Sequence, residues 1–233
     1  ILALEDGRTF HGSSFGATGS ALGEVCFNTS MTGYQEVLTD PSYRGQIVTM
    51  TYPEIGNYGI NFLDDESDTP HVRGFVVEQV SPIASNWRCK ETLDAYLKRW
   101  NIPGIQGIDT RALTKHLRDK GAMRGVISTE IRSETEAVRA ASQGTGVAGQ
   151  DFVREVTPRT AYDWDPDGGD SRLWTTSRQL TGVETDAALN ESFFPLPPVK
   201  HRLVAYDFGM KRNILRRLRQ EGFNVRVVPA DTP

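Results

Sequence analysis

Short apolar runs separated by turn residues occupy the first 80 residues, a pattern typical of β-strands. Residues 1–16 predict a hairpin that turns at Asp6-Gly7. Three further strands are predicted at EVCFN (24–28), QIVTMTY (46–52) and GFVVEQV (74–80). We therefore expect a β-sheet in the N-terminal part of the chain.

From residue 89 onward, the apolar side chains recur at helical spacing. Asp109 and Gly121 are predicted to begin and end one helix, and the capping-box pair Ser133 and Glu136 to begin the next. The strand AMRGVIST separates these two helices. A preceding helix is indicated by one apolar stripe, Leu93, Tyr96, Leu97 and Trp100.

The glycine-rich stretch QGTGVAGQ (143–150) predicts a domain boundary. We divide the chain into a first domain at 1–150, a connecting segment at 151–200 and the start of a second domain at 201–233. This last part reads as strand, helix and strand, which opens a doubly wound parallel sheet. One such unit cannot bury its own apolar surface, so we expect the sequence to stop inside the second domain.

Composition narrows the class of protein. The chain has 26 basic and 30 acidic residues and a net charge of −4, which argues against a general nucleic-acid or membrane-surface binder. Cys26 and Cys89 lie far apart and outside any metal-binding spacing, as expected of a reducing compartment. No apolar run approaches the 18 residues typical of a membrane-spanning helix, so no transmembrane segment is predicted. We therefore expect a soluble, globular protein of the cytoplasm, and the strand and helix patterns above make its fold class α/β.

Several familiar motifs are rejected on their context. GATGSALG (16–23) matches neither the dinucleotide fingerprint nor the P-loop and is predicted to be an inter-strand loop. Residues 207–209 spell the kinase metal-binding triplet, but the other kinase motifs are missing, so we interpret them as a strand-to-helix turn. The four histidines have no metal-ligand spacing, and no catalytic triad can be assembled. No metal site is expected.

The helix after residue 209 is strongly basic. A solvated face is the simpler interpretation, and docking to an acidic surface or anion binding at the helix start is the alternative. Lys211 is the candidate of most interest, because it follows the carboxyl end of a strand, where doubly wound folds bind ligands. The basic residues are Lys211, Arg212, Arg216, Arg217 and Arg219.

Residues 27–43, FNTSMTGYQEVLTDPSY, are rich in hydroxyl side chains. Thr32 and Gln35 have the spacing of a capping box, and Asp40-Pro41 is predicted to end the short helix that follows. Ser42 comes after this break and caps nothing obvious. It is either a surface serine or a group that offers its hydroxyl to a polar ligand.

The segment GEVCFNTSMTGYQEVLTDPSYRGQIVTMTYPEIGNYG (23–59) resembles the carbamoyl-phosphate synthase small subunit, the glutamine-hydrolysing chain. GIDTRALTKHLRDKGAMRGVI (107–127), FVREVTPRTAYDW (152–164) and VAYDFGMKRNILRRL (204–218) resemble the same family, in the same order. The resemblance covers nearly all of the chain and leaves 165–200 as the variable part.

The resemblance implies a swivelling β/β/α domain followed by a class I glutamine amidotransferase domain of flavodoxin-like type. In this family a cysteine, assisted by a histidine and a glutamate, attacks the glutamine amide and frees ammonia. The ammonia passes to the large subunit, which makes carbamoyl phosphate from bicarbonate and ATP for arginine and pyrimidine biosynthesis. The resemblance thus implies a heterodimeric ligase with its ATP and divalent metal on the large subunit, and no cofactor on this chain.

Of the family's glutamine site, only the serine of the T-D-P-S-Y motif matches this sequence, and it is Ser42. The nucleophilic cysteine and the histidine–glutamate pair are expected beyond Pro233. Lys211 remains a weak candidate near the site. We therefore expect the chain to supply part of the glutamine site and of the large-subunit interface, and to be inactive alone. The alternative is a non-catalytic docking module for the large subunit.

Overall fold

The computed structural model describes residues 1–174, 184–186, 191–193 and 195–233. These residues form two compact units, Ile1–Phe152 and Val153–Pro233, called unit 1 and unit 2 below. Part of the predicted connecting segment (residues 175–183, 187–190 and 194) lies outside the described residues.

Unit 1 combines one large sheet with four helices in the described residues. Its strands are β1 (Leu2–Leu4), β2 (Thr9–Phe10), β3 (Ser13–Gly16), β4 (Ser20–Asn28), β5 (Gln46–Met50), β6 (Glu54–Ile55), β7 (Gly74–Val76), β8 (Gln79–Val80), β9 (Pro103–Gln106) and β10 (Met123–Ser128). Its helices are α1 (Tyr34–Thr39), α2 (Leu93–Arg99), α3 (Thr110–Lys120) and α4 (Glu134–Gln143). A 3₁₀ turn at Pro41–Tyr43 lies between α1 and β5.

The large sheet of unit 1 has the strand order β2-β1-β10-β4-β5-β7-β9-β3. Its centre is parallel, because β4, β5, β7 and β9 pair in the same direction, whereas the outer pairs are antiparallel. Parallel strands are normally covered on both faces. Strand β5 follows this rule: Ile47 packs into one apolar cluster and Val48 into another, and both are fully buried.

The predicted helix boundaries of unit 1 are largely confirmed. Asp109 accepts a hydrogen bond from the amide of Ala112, and α3 ends at Gly121. Ser133 caps α4 by accepting from the amide of Glu136. These caps satisfy amides that the first helical turn leaves without partners.

Three strand predictions need correction. The hairpin of residues 1–16 is confined to β1 and β2, because β3 crosses to the other edge of the sheet and pairs with β9. The predicted loop 16–23 is partly strand, since β4 begins at Ser20 and pairs with β10. Residues 74–80 form two strands, β7 and β8, that belong to different sheets.

Unit 2 contains α5 (Val153–Val156), β11 (Tyr162–Asp163), α6 (Gly169–Arg172), β12 (Glu184–Asp186), β13 (Glu191–Phe193), β14 (His201–Asp207), α7 (Arg212–Gln220) and β15 (Phe223–Pro229). The predicted strand–helix–strand unit is confirmed, because β14 and β15 pair in parallel. Its core contains Trp164, Ala205, Leu215, Val225 and Val227. Along β14, the alternate residues Val204 and Tyr206 are 61% and 44% exposed.

Candidate functional site

Ser42 lies in a tight turn, residues 40–44, called the Ser42 turn below. Helix α1 ends at Thr39, as predicted, because Asp40 adopts an extended conformation before Pro41. The Asp40 carboxylate then accepts a hydrogen bond from the Ser42 amide at 2.9 Å. The Arg44 amide donates to the Pro41 carbonyl at 3.0 Å and closes the turn. The backbone around Ser42 is therefore fixed by local bonds.

The Ser42 side chain itself is exposed. Among the described residues, no hydrogen bond engages its hydroxyl, whereas the neighbouring Tyr43 hydroxyl accepts from Asn28 at 2.9 Å. Tyr43 is also partly buried against the apolar core. The turn thus anchors one neighbour in the core and presents the Ser42 hydroxyl outward, as a ligand contact requires.

The start of α1 differs from the prediction. Thr32 does not cap α1. The N-cap residue of α1 is Gly33, which adopts the left-handed conformation with φ 86°, and no side chain of the predicted capping box bonds to the helix start. Instead, the Tyr58 hydroxyl accepts from the amides of Gly33 and Tyr34 at 2.8 and 3.1 Å. The Tyr58 ring stacks on Tyr34 with centroids 4.2 Å apart. The capping-box prediction was wrong because a distant tyrosine supplies the acceptor.

Gln35, the other half of the predicted capping box, faces inward. It is fully buried, and its Oε1 accepts from the Asn61 amide at 2.9 Å. Its Nε2 donates to the Asn61 carbonyl and to Asp65. A buried amide needs such partners, because an unpaired one would cost about 1–3 kcal/mol. Gln35 therefore ties α1 to the loop at residues 61–65.

Residues 66–71, called the support segment below, contact the end of α1 directly before the Ser42 turn. The Glu66 amide donates to Thr39 Oγ1 at 2.9 Å, and Ser67 Oγ donates to the Thr39 carbonyl at 2.6 Å. The His71 amide donates to the Leu38 carbonyl at 2.9 Å. Sequence patterns gave no signal for these contacts, since they join positions far apart in the chain.

Lys211 is the N-cap residue of α7 in unit 2 and is half-buried. It follows β14 after a turn in which Asp207 Oδ1 accepts from the amides of Gly209 and Met210 at 2.8 and 2.7 Å. This turn confirms that residues 207–209 join a strand to a helix. Ser42 belongs to unit 1 and Lys211 to unit 2, and each is described within its own unit.

The solvated-face interpretation of the basic helix is wrong for Arg216. Its side chain is buried, with 3% of the residue exposed. Its Nε donates to Asp170 at 3.3 Å, and its guanidinium lies 4.8 Å from the centre of the Trp174 ring. Arg217, on the same helix, is exposed.

Other chemistry in the described part of the chain is sparse. Both cysteines are free thiols, and burial, with a smaller effect of Glu24, raises the pKa of Cys26 to about 12. Such a thiol is not a nucleophile at neutral pH.

Across the residues that the structure describes, no group of three or more His, Cys, Asp or Glu side chains is arranged to hold a metal ion. None of the described helices has the length and apolar character needed to cross a bilayer.

The fold thus defines a mixed α/β protein whose first unit is built on a large sheet with a parallel centre. The family described as "Carbamoyl-phosphate synthase small chain, CPSase domain" matches residues 2–127, more than half of the chain. The chain belongs to this family.

Similar proteins agree with this assignment. Carbamoyl phosphate synthase small chains of Syntrophotalea carbinolica and Akkermansia muciniphila are 52% identical over 233 residues and 50% identical over 232 residues. The small chain of Thermosynechococcus vestitus is 51% identical over 234 residues. Each match covers 100% of this chain but only 56–57% of the relative. The chain thus spans a little more than half the length of these relatives.

Proposed function

We propose that this chain is part of the glutamine-hydrolysing subunit of carbamoyl-phosphate synthase and that Ser42 contacts the glutamine. The geometry of the Ser42 turn carries the proposal: its backbone is fixed by Asp40, and its hydroxyl points outward. A rigid turn with an exposed hydroxyl loses little conformational freedom when it binds a polar ligand. The similarity to carbamoyl phosphate synthase small chains supports the assignment to this enzyme.

We assign unit 2 to the beginning of a class I amidotransferase domain. Its two long parallel strands, β14 and β15, have α7 on one face, while Val204 and Tyr206 remain exposed. Parallel sheets are covered on both faces in α/β proteins, so the exposed side chains support a larger doubly wound sheet. In such a sheet, Lys211 stands at the carboxyl end of a strand, where ligands bind.

In the proposed reaction, this chain binds and orients glutamine but does not attack it. We propose that the nucleophilic cysteine and its histidine–glutamate pair lie outside these 233 residues and that the chain alone does not hydrolyse glutamine. Ammonia released from the amide passes to the large subunit, which is proposed to hold the ATP and divalent metal. We place this heterodimer in the cytoplasm and assign no cofactor, nucleic acid or membrane to this chain.

The test uses a full-length small chain that contains this sequence, assembled with its large subunit. Ser42→Ala should raise the glutamine KM roughly two- to twelvefold, which corresponds to the loss of one neutral hydrogen bond of about 0.5–1.5 kcal/mol. Synthesis from added ammonia should not change, because ammonia bypasses the glutamine site. Ser13→Ala, at an exposed serine of β3, is the matched control. Equal losses with glutamine and with ammonia would make Ser42 structural and would refute the proposal.

A docking role of unit 1 is the second candidate, favoured by its exposed apolar side chains. Met31, Phe62 and Trp87 are 71%, 64% and 63% exposed, and exposed apolar side chains bind partner proteins where they form one contiguous patch. The purified chain should then co-elute with the large subunit without glutamine turnover. Co-elution without a KM effect of Ser42→Ala would favour docking alone, and separate elution would exclude it.

A further inference from the structure

The support segment holds the backbone that leads into the Ser42 turn at two successive residues. Thr39 is bonded through its hydroxyl to the Glu66 amide and through its carbonyl to the Ser67 hydroxyl. Leu38 is bonded through its carbonyl to the His71 amide. The next residue, Asp40, then accepts from the Ser42 amide. The position of Ser42 therefore depends on contacts made two to four residues earlier in the chain.

The hydrogen bonds around Ser67 also define the state of His71. Ser67 Oγ lies 2.6 Å from the Thr39 carbonyl, 2.9 Å from the Thr69 carbonyl and 3.0 Å from His71 Nε2. Carbonyl oxygens only accept, and a hydroxyl that gave its single hydrogen to His71 would face both carbonyl oxygens without a hydrogen between them, so we assign the donor role to His71 Nε2. His71 is thus the tautomer that carries its hydrogen on Nε2.

Burial keeps this histidine neutral. His71 is only 8% exposed, and burial, with a smaller effect of the Arg44 charge, lowers its pKa to about 4. Its Nδ1 has no hydrogen-bond partner in the described residues. At neutral pH, its role at this site is therefore that of a fixed donor to Ser67 rather than that of an acid or base.

We infer, on the basis of the proposed function, that Ser67 and His71 are positioning residues for glutamine binding. His71 orients the Ser67 hydroxyl toward the Thr39 carbonyl, and this bond holds the Ser42 turn in the geometry that receives the ligand. Neither side chain needs to touch glutamine. Their effect on binding passes through Ser42.

The experiment measures glutamine KM and kcat in a full-length small chain that contains this sequence, assembled with its large subunit. Ser67→Ala removes the hydroxyl, and His71→Leu removes the donor that orients it. Each should raise the glutamine KM about two- to fivefold and lower kcat by less, because one neutral hydrogen bond is lost. Ser67→Thr and His71→Gln keep a hydroxyl and a donor of similar reach, and they should restore most of the binding.

Two controls separate positioning from general damage. Ser142→Ala is the matched variant, because its hydroxyl also donates to a backbone carbonyl, that of Val138, but in α4. It should leave KM unchanged. The double variant Ser42→Ala/Ser67→Ala should have the KM of Ser42→Ala alone, since a residue that acts through Ser42 has no effect once that hydroxyl is missing.

The outcomes distinguish this inference from the proposed function. If Ser42→Ala raises KM and both Ser67→Ala and His71→Leu do not, the inference is overturned and the glutamine site stands. Additive effects in the double variant, or a fall in kcat alone, would also overturn it. If Ser42→Ala itself leaves KM unchanged, the proposed site fails, and the positioning role fails with it.

Discussion

The carboxylate of Glu36, on helix α1, is mostly buried. Its Oε2 is buried and has no hydrogen-bond partner in the part of the chain that the structure describes. Burial raises the pKa of Glu36 to about 7, with smaller contributions from the negative charges of Asp64 and Glu66, while Arg88 acts in the opposite direction. The side chain is therefore partly protonated at neutral pH.

Glu36→Gln should stabilise the chain at pH 8 and leave its stability unchanged near pH 4. The folded-state pKa lies above the ordinary value of 4.5, so the folded state binds more protons, and the wild-type chain loses stability as the pH rises from 4.5 to 7. A glutamine cannot ionise and avoids this loss, which is about 3 kcal/mol for a pKa raised from 4.5 to about 7. Urea unfolding of both proteins at each pH measures the difference.

Exposed Glu54 provides the control for this prediction. Glu54→Gln should shift the free energy of unfolding by no more than about 0.5 kcal/mol at either pH. A Glu36→Gln variant that gains nothing between pH 4 and pH 8 would show that the carboxylate is better solvated than its contacts indicate.

Single residues near the site were predictable where the cause was local. The end of α1 followed from Asp40-Pro41, because proline restricts the residue before it and cannot continue the helical hydrogen bonds. The start of α1 was not predictable, because its amides bond to Tyr58, up to 25 residues away. That Ser42 binds glutamine stays a prediction, since the structure shows its fixed backbone and its exposure alone.

Among the elements, α7 shows how one helix can carry two kinds of arginine. Arg216 is buried between Asp170 and the Trp174 ring, whereas Arg217 is exposed and donates to Gln220 at 2.9 Å. The sequence places both in one basic run, and only the packing of α7 separates them. A charge run is therefore a poor guide to which side chains are solvated.

Arg216→Glu should destabilise unit 2 by about 3–5 kcal/mol, because it buries a second negative charge beside Asp170. Arg217→Glu should change stability by no more than about 0.5 kcal/mol. Limited proteolysis of the chain measures this: Arg216→Glu should open new cleavage sites within residues 201–229, and Arg217→Glu should not. Equal resistance of the two variants would show that the Arg216 contacts contribute little.

Helices and strands could be predicted where the contacts that define them are local in the sequence. Helices α3 and α4 were found from their caps, because a cap and its amides lie within one turn. Strand β3 was misassigned to the first hairpin, because its partner β9 is about 90 residues away. Local pattern identifies a strand, but it does not identify the strand's neighbour.

At the scale of the whole molecule, the strand order of the large sheet could not be predicted from sequence patterns. Strand β10 inserts between β1 and β4, so the chain returns to its own beginning to complete the sheet. The four central parallel strands could not be distinguished from antiparallel ones by composition. The α/β class was predictable, since strands and helices alternate after residue 89, and the family match confirms the kind of protein.

Residues 1–152 should fold without the rest of the chain. The three apolar clusters of unit 1 are formed by residues within this range, and they cover both faces of the large sheet. Urea unfolding followed by circular dichroism should show one cooperative transition, with a slope of roughly 1–3 kcal/mol per molar urea. A chain of residues 1–121 is the control, because it lacks β10 and leaves β1 and β4 without their shared neighbour. If residues 1–152 lose their structure as gradually as this control, unit 1 is not an independent domain, and the docking role proposed for it fails.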